Sequence, residues 1–125
     1  MRRASRRAML PAMSSSGFAP KVGPGALAVI FTSLRTASDD GYAQTAEEMV
    51  RLASEQDGFL GVESARDADG LGLGLTVSYW RDEAAILAWR QQGDHLAAQA
   101  AGKARWYRAY RVRICRVERE YGFER

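Results

Sequence analysis

The chain has 125 residues, 46% of them hydrophobic and 26% charged, which suits one globular domain. It has no run of 18 apolar residues and only one cysteine, Cys115, so neither a membrane-spanning helix nor an internal disulfide is expected, and a reducing, cytoplasmic setting fits. The formal charge of +3 comes from the first 25 residues, where Arg2, Arg3, Arg6, Arg7 and Lys21 meet no acid; the remainder holds 13 basic and 15 acidic residues and presents no basic face for nucleic acid.

Residues 1–25 lack the apolar core of a secretory signal. Rich in Arg, Ser and Ala and without a periodic apolar stripe, they read as a disordered extension. A chain starting at Val22 is therefore expected to melt within a few degrees of the whole. The Pro/Gly cluster Pro20–Gly25 marks the start of the fold, which runs over residues 26–123.

Ala26–Arg35 (ALAVIFTSLR) is the first predicted strand, apolar on both faces and so central in its sheet. Ser38 or Asp39 is placed to cap the helix that follows, in which Tyr42, Ala46, Met49, Val50 and Ala53 recur at helical spacing. That helix is expected to end near Gln56. Phe59–Arg66 is the second strand, and the turn Asp67–Gly70 permits only an antiparallel return. The third strand, Leu71–Trp80, alternates strictly between two faces.

After Trp80 the period changes. Asp82 can cap a helix whose stripe is Ile86, Trp89, Gly93, Leu96 and Ala100. Gly93 costs roughly 1 kcal/mol against Ala inside a helix, so a kink is expected there, or a break with Asp94 capping a second piece. All three tryptophans (Trp80, Trp89, Trp106) and the only histidine, His95, fall in or beside this segment. Trp106–Glu120 is the last strand, with Tyr110, Val112 and Ile114 on one face and Arg111 and Arg113 interleaved.

The order β-α-β-β-α-β predicts an α+β, ferredoxin-like fold: a four-stranded antiparallel sheet with two helices on one face. The other face is also apolar. It is expected to pack on a second copy, closing a dimeric α+β barrel. Ile114 is assigned to that buried interface, so Ile114→Asp is expected to prevent folding or assembly.

The segments VIFTS, DGFLGVESARD and TVSYWRDEAAILAW, then His95 followed by AAQ, and the closing WYRAYRVRICRVEREYGF resemble, in this order, the antibiotic biosynthesis monooxygenase family of dimeric α+β barrels. The resemblance covers roughly Ala26 to Phe123. It implies a homodimer and a pocket between sheet and helices that holds a small aromatic or apolar ligand. It also implies oxidation of phenols or quinols by molecular oxygen with no cofactor and no metal. A heme-degrading branch of the same fold places its ligating histidine ten residues after a tryptophan matching Trp89; Gln99 stands there in this chain.

His95 is the candidate general base, because imidazole titrates near neutral pH, with Tyr79 as a second catalytic candidate. Trp89 and Trp80 are placed to stack on a flat substrate, and Tyr107 and Arg113 to bind its oxygens. Each has a structural alternative: the tryptophans as core, Arg113 as a solvated strand residue, His95 as a helix-surface residue bonded to a neighbour such as Asp94. Cys115 reads as a small buried hydrophobe. No metal-ligand spacing and no dinucleotide fingerprint occurs. Two classes of function fit: a cofactor-independent oxygenase, and a non-catalytic dimer that binds a small ligand or acts in stress physiology.

Overall fold

The structure, a computed structural model, describes residues 17–38, 40–67, 69–70 and 72–125. The expectations for residues 1–16, for Asp39 as a helix cap and for Leu71 as the start of a strand lie outside the described residues.

Four strands, β1 (Leu27–Arg35), β2 (Phe59–Arg66), β3 (Leu73–Trp80) and β4 (Tyr107–Arg116), form one antiparallel sheet in the order β2-β3-β1-β4. β1 is central, as its two apolar faces predict. Helix α1 (Tyr42–Ser54) joins β1 to β2, while α2 (Glu83–Arg90) and α3 (Gly93–Ala101) lead from β3 to β4. The fold is ferredoxin-like α+β.

The predicted second helix is thus two helices. Asp82 caps α2, accepting from the Ala85 N–H at 2.9 Å. The break falls at Gln91–Gln92, and the cap of α3 is Gln92, whose side chain accepts from the His95 N–H at 2.8 Å. Asp94, already in the first turn of α3, takes no part in that cap. The break shifts the helical phase, which leaves Leu96 half exposed rather than packed in the stripe with Ile86. Helix α1 begins on Gly41 in the left-handed conformation (φ 77°), with no side-chain cap, so Ser38 does not serve that role. A turn of π-helix, Gly102–Trp106, delivers the chain into β4. It buries Trp106, whose indole N–H donates to the Asp40 carbonyl at 3.0 Å.

One face of the sheet carries Leu27, Val29, Phe31, Ser33 and Arg35 of β1 opposite Trp80, Ser78, Thr76 and Gly74 of β3. The helices pack here. Leu27, Trp80, Ala53, Ala85 and Ile86 form the core, with Val29, Phe59 and Trp89 against it. Helix α1 lies over β2 and α2 over β3. The β1–β4 half of this face is covered less. Val112 and Ile114, which pair with Phe31 and Val29, are therefore exposed, Ile114 by 45%. Ile114 was expected in the buried face opposite the helices; the register puts it on the helix face, at the rim of an edge strand.

The other face carries Ile30, Thr32 and Leu34 against Val77, Leu75 and Leu73, flanked by Arg113 and Arg111. Leu73 and Leu75 are exposed there, and so is Cys115, which is not the buried hydrophobe expected. It sits on the edge strand β4.

Residues 17–25 are hydrogen-bonded to the fold through Ala19, Val22 and Gly23. The Ala19 N–H donates to Glu63 Oε1 at 2.8 Å, and the Val22 and Gly23 N–H groups donate to Glu120 at 2.9 and 2.8 Å. Those two bonds hold the Glu120 carboxyl below its usual range. Pro20 and Ala19 lie so close over Gly61 that a side chain there would overlap them. A chain beginning at Val22 loses the Ala19–Glu63 bond and this cover. A charge-assisted bond is worth about 1.5–3 kcal/mol, and each kcal/mol shifts the melting point of a domain this size by roughly 4–8 °C. Scanning calorimetry is expected to show a drop of at least several degrees; an unchanged melting point would mean that the segment contributes nothing.

Candidate active site

Four rings stand in a row from β2 to α3. Phe59 meets Trp80 edge-on (5.4 Å), Trp80 stacks on Trp89 (6.0 Å, 26°), and Trp89 stacks on His95 (4.3 Å, 15°). Sequence puts Trp89 and His95 six residues apart, out of phase on one continuous helix. The break before Gly93 and the Gln92 cap bring the two rings together.

The His95 ring is oriented by a second contact: Nδ1 lies 3.0 Å from the Trp89 carbonyl oxygen. A carbonyl only accepts, so Nδ1 carries the proton and Nε2 keeps its lone pair. Burial holds the imidazole below its ordinary value; the Trp89 carbonyl raises it and the Arg90 charge lowers it further. His95 is thus a neutral base at pH 7, and its Nε2 has no hydrogen-bond partner among the described residues. The same shift has a consequence for stability. The unfolded chain, with an imidazole near 6.5, binds a proton before the folded one does, so stability is complete above that value and falls as pH drops through it toward the lower folded value. Urea unfolding at pH 7.5 and 5.5 is expected to show this loss in the wild type and a smaller one in His95→Gln. Equal losses would mean that His95 is not buried.

Trp80 is 0% exposed, and its indole N–H donates to Ser78 Oγ at 2.9 Å. It is core, positions Trp89, and cannot itself touch a substrate. Tyr79, its neighbour in the strand, points to the opposite face of the sheet. There it donates to Glu63 Oε2 at 2.9 Å, and burial, with that carboxylate, pushes its pKa up to about 12. Arg113 pairs with Ile30 and shares the face of Tyr79, and Arg111 pairs with Thr32 beside it. The predicted set is therefore split. His95, Trp89 and Tyr107 belong to the helix face, whereas Tyr79 and Arg113 lie behind the sheet and cannot meet a ligand that His95 contacts.

Tyr107 stands at the far end of the helix face. It packs edge-on against Phe31 (5.3 Å), Tyr42 (6.0 Å) and Tyr110 (5.9 Å), and its hydroxyl lies 3.5 Å from that of Tyr42. Burial raises its pKa strongly and the Tyr42 hydroxyl adds to this, while the charges of Arg66 and Arg35 pull the other way. Sequence reasoning did not single out Phe31, Tyr42, Tyr110, Arg35 or Arg66. In the sheet, Phe31, Ser33 and Arg35 share one face of β1, and only the fold shows that this face is the one under the helices.

Among the described residues no cluster of three His, Cys, Asp or Glu side chains is arranged to hold a metal ion. Gln99 is exposed on α3, one turn beyond His95. A shallow cleft of about 620 Å³ between Lys21–Pro24 and Glu118–Tyr121 includes none of the predicted site residues.

The family model for antibiotic biosynthesis monooxygenase matches residues 26–101. The chain belongs to that family. It is 50% identical over 101 residues to the uncharacterized protein YqjZ of Bacillus subtilis, covering 81% of this chain and 87% of that one. In fold it is similar to Rv0793 from Mycobacterium tuberculosis (TM-score 0.67, 18% identity, 78% of this chain and 99% of the other). It is equally similar to SnoaB, a cofactor-independent oxygenase from Streptomyces nogalater (TM-score 0.66, 12% identity, 77% and 96%). At such identities the likeness to both structures concerns the fold. No helix among the described residues is long and apolar enough to cross a membrane.

Proposed function

We propose that the chain is a cofactor-independent monooxygenase that oxidises a small aromatic or quinol-type molecule with molecular oxygen. The observation that carries this reading is the pairing of His95 with Trp89: a neutral imidazole with Nε2 free, stacked on an indole at the edge of the sheet–helix layer. Membership of the family and the fold shared with an oxygenase support it.

The reaction needs one thing from the protein besides a shaped, dry surface. A phenol reacts slowly with oxygen; its phenolate is electron-rich enough to transfer an electron. His95 Nε2 takes the phenolic proton. The phenolate gives one electron to oxygen, radical recombination forms a carbon–oxygen bond at a ring carbon that bears hydrogen, and the peroxide anion takes the proton back from the His95 imidazolium to give a hydroperoxide. Loss of water leaves a carbonyl. One oxygen atom ends in product and one in water, and the substrate supplies both electrons. Trp89, stacked on the imidazole, holds it in place.

Oxygen uptake with a panel of anthrones and hydroquinones, before and after chelator treatment, tests the reading. Uptake with at least one of them, unchanged by EDTA, is expected. Activity lost with EDTA would overturn the metal-free mechanism. Binding without uptake across the panel would favour a non-catalytic ligand-binding role.

The open face of the sheet bears on assembly. Ile30, Leu34, Leu73, Leu75 and Val77 form an apolar patch on the face opposite the described helices. We expect a homodimer joined through this face, of the kind that buries on the order of 2,000 Å² or more. Light scattering at micromolar concentration is expected to give twice the 13.8 kDa chain mass, and Leu75→Asp to give the monomer. A wild-type mass of one chain would exclude the dimer.

A further inference from the structure

One row of residues crosses all four strands on the helix face: Arg66 of β2, Gly74 of β3, Ser33 of β1 and Tyr110 of β4. Arg66 lies flat over Gly74. A Cβ at Gly74 would overlap the guanidinium, so only glycine leaves it room to lie there. Across that gap Arg66 Nη2 donates to Ser33 Oγ at 2.5 Å, and Nη1 donates to the Gly72 carbonyl at 3.0 Å. Arg35 follows on the same face of β1. It is 8% exposed, its Nη2 donates to the Ser38 carbonyl at 3.1 Å, and its guanidinium sits 3.5 Å over the Tyr42 ring. Its Nε is buried with no acceptor among the described residues.

Among the described residues neither arginine has a carboxylate partner, whereas the exposed Arg51 and Arg81 each have two. Arginines held inside a protein are ordinarily paired with an anion or fully hydrogen-bonded. Here two cations and an orphaned donor share the end of a face lined by Phe31, Tyr107 and Tyr110. The planar guanidinium fork matches a carboxylate, and the rings match an aromatic body.

We propose that Arg66 and Arg35 form the anionic end of the ligand site and bind the carboxylate of a small aromatic acid whose ring rests on Phe31, Tyr107 and Tyr110. Gly74 is a positioning residue that lets Arg66 lie across the sheet. The inference rests on the helix face being the ligand face. It narrows the substrate class from aromatic molecules in general to those that carry an acid.

The test reads binding alone, so its outcome is separate from that of the oxygen-uptake experiment. Calorimetric titration of the full chain with 2-naphthoate, 2-naphthamide and inorganic phosphate needs no variant. Naphthoate is expected to bind at least tenfold more tightly than either of the others. Arg66→Gln, which removes the charge, and Gly74→Ala, which keeps the charge but displaces the guanidinium, are each expected to weaken naphthoate at least tenfold and to leave naphthamide unchanged. Equal affinity for acid and amide, or undiminished naphthoate binding in both variants, would overturn the proposal. Phosphate binding as tightly as naphthoate would overturn the aromatic part of it.

Discussion

Replacing His95 by alanine is expected to lower turnover on a confirmed substrate by about 10²–10⁴-fold, roughly 3–5 kcal/mol of barrier, and to leave the fold intact. The expectation follows from what the imidazole is bonded to. Nδ1 is spent on the Trp89 carbonyl, so the ring cannot rotate freely, and its one basic atom is Nε2. Because burial keeps the ring neutral at pH 7, the base is ready without losing a proton first. The rate is expected to rise with pH through a value below the ordinary imidazole pKa and to be level above it. The helix should survive, since its cap is Gln92 and the main-chain N–H of residue 95, neither of which the substitution removes. Oxygen uptake over a pH series, with a circular dichroism melt of the same sample, checks both halves. Full turnover in His95→Ala would remove the histidine from the mechanism. Tyr79 would not inherit the role, because it lies behind the sheet and is tied to Glu63.

Trp80→Ala is expected to be a folding defect and not a substrate-binding one. The ring is wholly buried and bridges the sheet to α2, with Phe59 on one side and Trp89 on the other. Removing a buried tryptophan costs about 3–5 kcal/mol, against a typical total stability of about 5–15 kcal/mol. At roughly 4–8 °C per kcal/mol the melting point should fall by at least about 12 °C. The Trp89–His95 pair would also lose its backing, so activity should drop through looser geometry. Denaturant titration separates the two effects. A variant as stable as the wild type but with a raised KM would return Trp80 to the substrate.

The local periods of the chain carried the fold. Alternation in β1 and β3, Asp82 capping the start of an apolar stripe and the order of strands and helices each depend on neighbours a few residues apart, and they are present in the structure, the stripe only as far as the break after Arg90. Gly93 marked the weak point of the long helix, but not which residue would cap the second piece. Gln92 is an ordinary helix residue by type, and it caps only because the chain turns there.

What sequence could not settle is which face of each strand meets the helices. Period 2 divides a strand into two sets and leaves their assignment open, because both sets in β1 and β4 are partly apolar. The sheet register decided it, placing Ile114 under the rim of the helix layer and sending Tyr79 and Arg113 behind the sheet. The same register brought Arg66 to Ser33 across a separation of 33 residues. No local pattern records such a meeting. It depends on a glycine in the strand between them, whose missing side chain is a property of the assembled sheet and not of its own segment.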